Sequence, residues 1–266
     1  GDGIADGAEI AGGTDPTKSD TDDDGYTDGA EIAKGSDPTD ANSIPGLPAP
    51  IAFYNFEGKS STALDRSFNN NPATASGTIT FVDEGAPSGS SPSAAASMEG
   101  GHFRVPGIDM NSQIRDSGDG SYTMVAWIKP DSTEGERFIF GQTNQGIHNG
   151  IRNNAFLHQA HWGADTNGTT NLNDYLAADE DGWIHAAFVY DGAGDIGRIY
   201  LDGVLDWEGG KRAANGDGHL IIGGRNNGER QYTGLIDDVA IWDEVLAGAE
   251  VADLAAGNSD ARRSRR

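Results

Sequence analysis

Residues 197–207 read GRIYLDGVLDW. Two short apolar runs flank Asp202-Gly203. Asp-Gly between β-branched and aromatic residues is the strongest short-range signal for a two-residue hairpin, because both turn positions must take positive φ. Working outward, the same texture recurs in YTMVAWIKP (122–130), RFIFGQ (137–142), WIHAAFVYDG (183–192), GHLIIGG (218–224) and TGLIDDVAIWDE (233–244). These are short runs rich in β-branched and aromatic residues and bounded by turn formers, the pattern of strands. A helical pattern first appears at 244–256. The spacing predicts an all-β domain over residues 51–257, an antiparallel jelly-roll sandwich. SSPSAAAS, at 90–97, reads as a loose insertion between strands.

Ahead of this domain the texture changes. SIPGLPAP (43–50) has three prolines and no charge, and reads as a stiff spacer. Residues 1–42 before it are acidic. Within them, DTDDDGYTDGAE (20–31) gathers carboxylates that repel one another unless a cation neutralises them. Counted from Asp20 as position 1, oxygen ligands fall at Asp20, Asp22, Asp24, Asp28 and Glu31, at positions 1, 3, 5, 9 and 12. Gly25 takes position 6 and the Tyr26 carbonyl position 7. This is the ligand register of a twelve-residue Ca2+ loop, with Gly for the sharp turn and a chelating Glu at the end. Hard oxygen donors without His or Cys point away from zinc and copper.

The loop is one of two copies. DGIADGAEIAGGTDPT (2–17) matches DGYTDGAEIAKGSDPT (24–39) at an offset of 22, so Asp2, Asp6 and Glu9 stand where Asp24, Asp28 and Glu31 stand. Positions 1 and 3 of the first copy would precede residue 1, which reads as a chain excised from a longer secreted precursor. The stretch 30–34 has room for about one helical turn before GSDP, too little for a helix-loop-helix hand.

Residues 1 to about 40, with DxDxDGxxDGxE followed by GTDP or GSDP, resemble the bacterial thrombospondin type 3 repeat. That resemblance implies a calcium-threaded, loop-rich rod with little apolar core, in which Asp15 and Asp37 of the two Asp-Pro turns either add calcium ligands or form turns before proline. In the larger domain, IAFYNFEG, ALDRSFNNN, YTMVAWIKPD, DGWIHAAFVYDG, GRIYLDGVL, GHLIIGG and GLIDDVAIWDEVL resemble, in this order, the LamG-like jelly roll of the concanavalin A-like lectin/glucanase superfamily. In that family the Trp and His of the WIHAAFVY strand are packing residues, which makes His185 a core side chain. Related folds bind glycans or proteins at one rim or along the concave face. Trp162, Tyr175 and Trp207 lie near amide and carboxylate residues that could frame a sugar, and each ring reads equally well as sandwich packing. Related folds also tie terminal strands together with calcium, a role open to Asp65 with Asp237 and Asp238, which can equally cap strand ends.

Composition narrows the function. The net charge of −24 in 266 residues opposes binding to nucleic acid or an anionic membrane and makes divalent cations the natural counter-charge. The absence of cysteine leaves calcium rather than disulfides as the added source of stability. So acidic a calcium protein suits the extracellular milieu, where calcium is roughly millimolar. No apolar run is long enough to span a membrane. Glucanases on this fold need paired carboxylates on one strand face, and no ExDxE run occurs; Glu134 and Glu136 in EGERF read as solvated charges. GxSxG, HExxH and P-loop motifs are absent, and His158 and His161 in HQAH suit one metal only on a helix. The expected product is a non-catalytic calcium-binding extracellular module, structural or adhesive, with a carbohydrate-binding module as the alternative. The basic tail, residues 258–266, ends ARRSRR. Residues 1–44 carry ten aspartates and two glutamates against two lysines, so that tail could join another copy's rod head to tail.

Overall fold

The computed structural model describes residues 3–22, 26–34, 36, 38–39, 46–67, 69–87, 94–109, 119–144, 146–153, 155–178, 181–213, 217–225 and 228–257. Asp2, Asp24, Asp37, the start of the proline segment (residues 43–45) and the basic tail lie outside them.

The repeats form two seven-residue helices, α1 (Asp6–Gly12) and α2 (Asp28–Lys34). The first stops where Gly13 turns left-handed at φ 93° and returns its N–H to the Glu9 carbonyl. The sandwich follows as β1 (Ala52–Tyr54), β2 (Thr62–Ala63), β3 (Ala73–Ser76), β4 (Ile79–Val82), β5 (Ala95–Glu99), β6 (His102–Asp109), β7 (Tyr122–Pro130) and β8 (Arg137–Asn144). It continues through β9 (Asn149–Arg152), β10 (Phe156–His161), β11 (Ala164–Asn167), the short helix α3 (Leu172–Ala178), β12 (Ile184–Asp191) and β13 (Ile196–Leu201). It closes with β14 (Val204–Gly210), β15 (Asp217–Ile222), β16 (Thr233–Trp242) and α4 (Gly248–Ala255). The first sheet runs β14-β13-β12-β7-β16-β5-β4 with β1 added on β16; the second runs β11-β10-β9-β8-β15-β6-β3-β2. The named pairs are antiparallel, as expected of a jelly roll.

The core lies between the sheets, where Phe140 meets Phe188 edge to face at 6.2 Å and Met98, Phe103, Ile222 and Ile241 are fully buried. The first sheet is also covered on its outer face. There α4 lays Val251 and Leu254 over Val125, Ala187, Val189 and Trp242. Burial on both faces explains why β7 and β12 read as continuous apolar runs instead of alternating. The Asp202-Gly203 turn forms as expected, with φ 48° and 78° and Leu201 paired with Val204.

Three features differ from the sequence expectation. Ala94 to Ser97 is not insertion: Ala95–Glu99 is β5, paired with both β4 and β16, its alanines small enough to vanish in the layer. The end of the proline segment does not stand free, because Leu47 is buried against Trp242 and the Pro48 carbonyl accepts the Trp242 indole N–H at 2.9 Å. The rod is docked on α4. Tyr26, 2% exposed, donates its hydroxyl to Asp253 at 2.8 Å, and Lys34 pairs with the buried Glu250, which also accepts the Ala247 N–H that opens the helix.

Candidate functional site

Two places on the molecule concentrate chemistry. In the rod, α2 begins inside the acidic loop, so its first turn carries Asp28 and Glu31 inward, both fully buried. Asp28 accepts the Thr21 N–H and hydroxyl, each at 2.7 Å, and so braces the loop; a position-9 ligand often acts through water. Glu31 accepts the Ser36 hydroxyl at 3.0 Å. Asp20 and Asp22 are half-buried beside them. Hard carboxylate oxygens taken this deep suit a calcium ion far better than a softer metal. In the first copy Glu9 is buried as Glu31 is, while Asp6 is exposed. Asp15 forms the turn: its Oδ1 accepts the Thr17 N–H at 2.9 Å and hydroxyl at 2.7 Å, and these bonds hold its carboxyl below the usual range.

The second place is a cleft of about 450 Å³ on the outer face of the second sheet, lined by Phe138, His148, Arg152, Trp162, Asp165 and Arg230. The period of a strand puts it there: Leu157 packs into the core, so His158 on β10, with Asn167 and Asp165 opposite on β11, points away from it. A two-residue turn, Trp162-Gly163, joins these strands, with Gly163 at φ 76°. Trp162 is thereby left 53% exposed at the rim, while its carbonyl accepts the Arg212 guanidinium at 2.5 Å. A register shift between Phe138 and Phe140 in β8 accompanies the turning of Phe138 toward the cleft.

The floor is a charge network. Arg152 donates Nε to Glu136 at 2.7 Å and pairs with Asp165 through Nη1; Arg230 reaches the other Glu136 oxygen at 2.7 Å. His158 donates Nδ1–H to Asn167 Oδ1 at 2.9 Å, and its Nε2 stands 3.3 Å from Arg152 Nη1. His148 Nε2 lies 3.8 Å from Asp165. Burial pulls both imidazoles down to about 4, so both are neutral at neutral pH. Asp165 is held below the usual range: burial opposes this, but the Arg152 hydrogen bond and the neighbouring imidazoles outweigh it.

The other residues singled out in the sequence lie elsewhere. Tyr175 and Trp207 are half-buried against the core, with the Tyr175 hydroxyl donating to Asp202 at 2.6 Å and Lys211 over the Trp207 ring at 5.7 Å. They do not join Trp162. Asp65 accepts the N–H groups of Phe53, Ser67 and Asn71, and Asp237 those of Ala86 and Asp238, so these carboxylates serve as backbone anchors. The HQAH histidines part, as strand geometry requires. His161 turns inward to the Tyr122 hydroxyl at 2.7 Å, leaving His158 on the outer face of the sheet beside His148, their ring centroids 5.8 Å apart. His185 is a core residue, 1% exposed, edge-on to Trp127. His148, Asp165 and Arg230 were not singled out from sequence, because they meet only through strand pairing and carry no local motif.

The comparisons agree with this architecture. Residues 100–252, more than half of the chain, match the family model described as the concanavalin A-like lectin/glucanases superfamily, and residues 1–19 and 20–41 each match the bacterial TSP3 repeat. No curated protein matches the chain. Among solved structures, domain 4 of AbnA, a GH43 extracellular arabinanase from Geobacillus stearothermophilus in complex with arabinotriose, shares 23% identity at a TM-score of 0.55, over 77% of this chain and 98% of that one. The botulinum neurotoxin DC binding domain in complex with SialylT shares 14% at 0.55, over 78% and 51%. A Trypanosoma rangeli sialidase shares 14% at 0.56, over 79% of this chain and 33% of that one. At such identities the likeness is one of fold, and this chain spans about half of the neurotoxin domain and a third of the sialidase. Among the described residues no helix is long and apolar enough to cross a membrane. With the sandwich, its sheet order and the matched residues in accord, the chain belongs to the concanavalin A-like lectin/glucanases superfamily, with bacterial TSP3 repeats ahead of its lectin-like domain.

Proposed function

We propose that the protein is a non-catalytic, extracellular carbohydrate-binding module carried on a calcium-dependent rod. The observation that carries this reading is Trp162, a large ring 53% exposed at the rim of a polar cleft. An exposed aromatic beside convergent polar groups is informative in a way that an exposed leucine is not. Its indole face offers a platform for the C–H face of a sugar, and Arg152, Arg230, Asp165 and His148 offer donors and acceptors to hydroxyls. In the rod, Asp20, Asp22, Asp28 and Glu31, with Asp24 and the Tyr26 carbonyl, would hold calcium, which when bound neutralises the carboxylates and fixes the loop. Asp28 meanwhile holds Thr21, and Tyr26 ties the loop to Asp253.

Arabinan oligosaccharides are the first probe, because nearly the whole of the AbnA domain aligns and that domain was solved with arabinotriose. A glycan array followed by calorimetry on the whole chain in millimolar calcium tests the reading. Saturable binding to at least one oligosaccharide is expected, weakened about tenfold by Trp162→Ala, the loss of about 1.4 kcal/mol of stacking. Binding that survives that change undiminished would place the sugar elsewhere.

A second reading, a structural or adhesive subunit that polymerises head to tail, is supported by the docking of the rod on α4, which makes one mechanical unit of rod and sandwich. It predicts filaments with calcium that disperse with chelator under the electron microscope. Dispersed particles in both conditions would remove it.

A further inference from the structure

We propose that His148, His158 and Asp165 form a binding site for a divalent transition cation, zinc being the best fit, on the floor of the Trp162 cleft. The three come from the residue just before β9, from β10 and from β11, with β9, β10 and β11 neighbours in one antiparallel ladder, and their ligating atoms lie within 4.8 Å of one another. They are the one such set of three among the described residues. Two imidazoles and a carboxylate with open positions left over make a borderline donor set that suits zinc and not calcium. Zinc at about 2.0–2.1 Å from each ligand, in tetrahedral geometry, needs ligand atoms about 3.3–3.4 Å apart. His148 Nε2 and Asp165 Oδ1 stand at 3.8 Å, and closing the widest separation takes at most about 1.5 Å, within reach of side-chain rotation.

Two further features point the same way. Asn167 accepts the Nδ1–H of His158, which leaves the Nε2 lone pair aimed at the cluster, the usual way an outer partner fixes a ligating imidazole. Arg152 already sets a cation between the ligands, its Nη1 against both His158 Nε2 and Asp165. Zinc would take the place of Nη1, while Arg152 keeps its Nε bond to Glu136. Arg152 is then a built-in competitor that lowers the affinity. Two of the three ligands, His148 and Asp165, line the cleft together with Trp162, so zinc bound here would lie beside it.

The test is calorimetric titration of zinc into the untagged whole chain, in millimolar calcium to fill the rod and with no sugar present, so that it stands or falls apart from the glycan reading. Tetrahedral visible absorption on cobalt substitution gives a second readout. One zinc per chain is expected, weakened at least tenfold by His158→Gln or His148→Ala and tightened several-fold by Arg152→Met. Thermal melts in calcium would show each variant folded. Zinc binding unchanged in both histidine variants, or no binding in either the parent or Arg152→Met, would overturn the assignment and leave the cluster as an ion-pair brace.

Discussion

Five tryptophans punctuate the chain, and four of them lie wholly or partly in the sandwich. Trp162 stands apart because a two-residue turn holds its ring at the surface, 53% exposed. Sequence offered Trp162, Tyr175 and Trp207 on equal terms, since polar neighbours in the chain say nothing of which sheet face a ring takes. His185 shows the opposite case: the family resemblance marked it as a packing residue, and it lies buried in a strand covered on both faces. Burial holds its imidazole down to about 3, against an ordinary 6.5. Between those values the unfolded chain binds a proton that the folded chain does not, so stability falls as pH drops from 6.5 toward 3, by up to about 1.4 kcal/mol per unit. Denaturant melts from pH 7 to 4 should show a shallower loss in His185→Leu; parallel curves would refute this. At Gly203, φ is 78° and an added Cβ would sit 2.7 Å from the Ala252 Cα. Gly203→Ala is expected to cost about 1–3 kcal/mol in chemical denaturation, and a neutral result would mean that the turn and α4 separate easily.

Among the elements, α4 connects the parts. It covers the outer face of the first sheet, receives the Gly203 turn, and holds the rod through Asp253 and Glu250. Its position in the chain was legible from residues 244–256, but its partners were not, because Tyr26 and Lys34 lie more than 200 residues away. Tyr26→Phe combined with Lys34→Ala should release the rod. Limited proteolysis in calcium is expected to cut between rod and sandwich several times faster in this double variant, with the sandwich melting temperature little changed; an unchanged cutting rate would show that the two contacts do not hold the rod. Strand β5 escaped a reading from sequence for a related reason. Its alanines carry no β-branched or aromatic mark, and it is a strand only because β4 and β16 supply its hydrogen bonds on either side.

For the whole molecule, a net charge of −24 falls unevenly, with the acidic repeats set against a neutralised cleft in which two arginines meet Glu136 and Asp165. Calcium should therefore govern the rod and leave the sandwich almost alone. Chelation is expected to abolish a low-temperature transition in calorimetry and to spare the main one, whereas a single transition that moves as a whole would show the two parts fold as one. The two-part architecture was written in the sequence, through the 22-residue repeat and the apolar runs. The cleft was not, since it is assembled from β8, β9, the β10–β11 turn and the approach to β16. The most direct test of the glycan-binding account follows the five indole N–H resonances of the labelled whole chain as an array-selected oligosaccharide is added in calcium. The account predicts that the Trp162 indole shifts saturably while the four packed indoles stay in place. Saturable binding that leaves the Trp162 resonance unmoved, or no binding by any oligosaccharide, would contradict it.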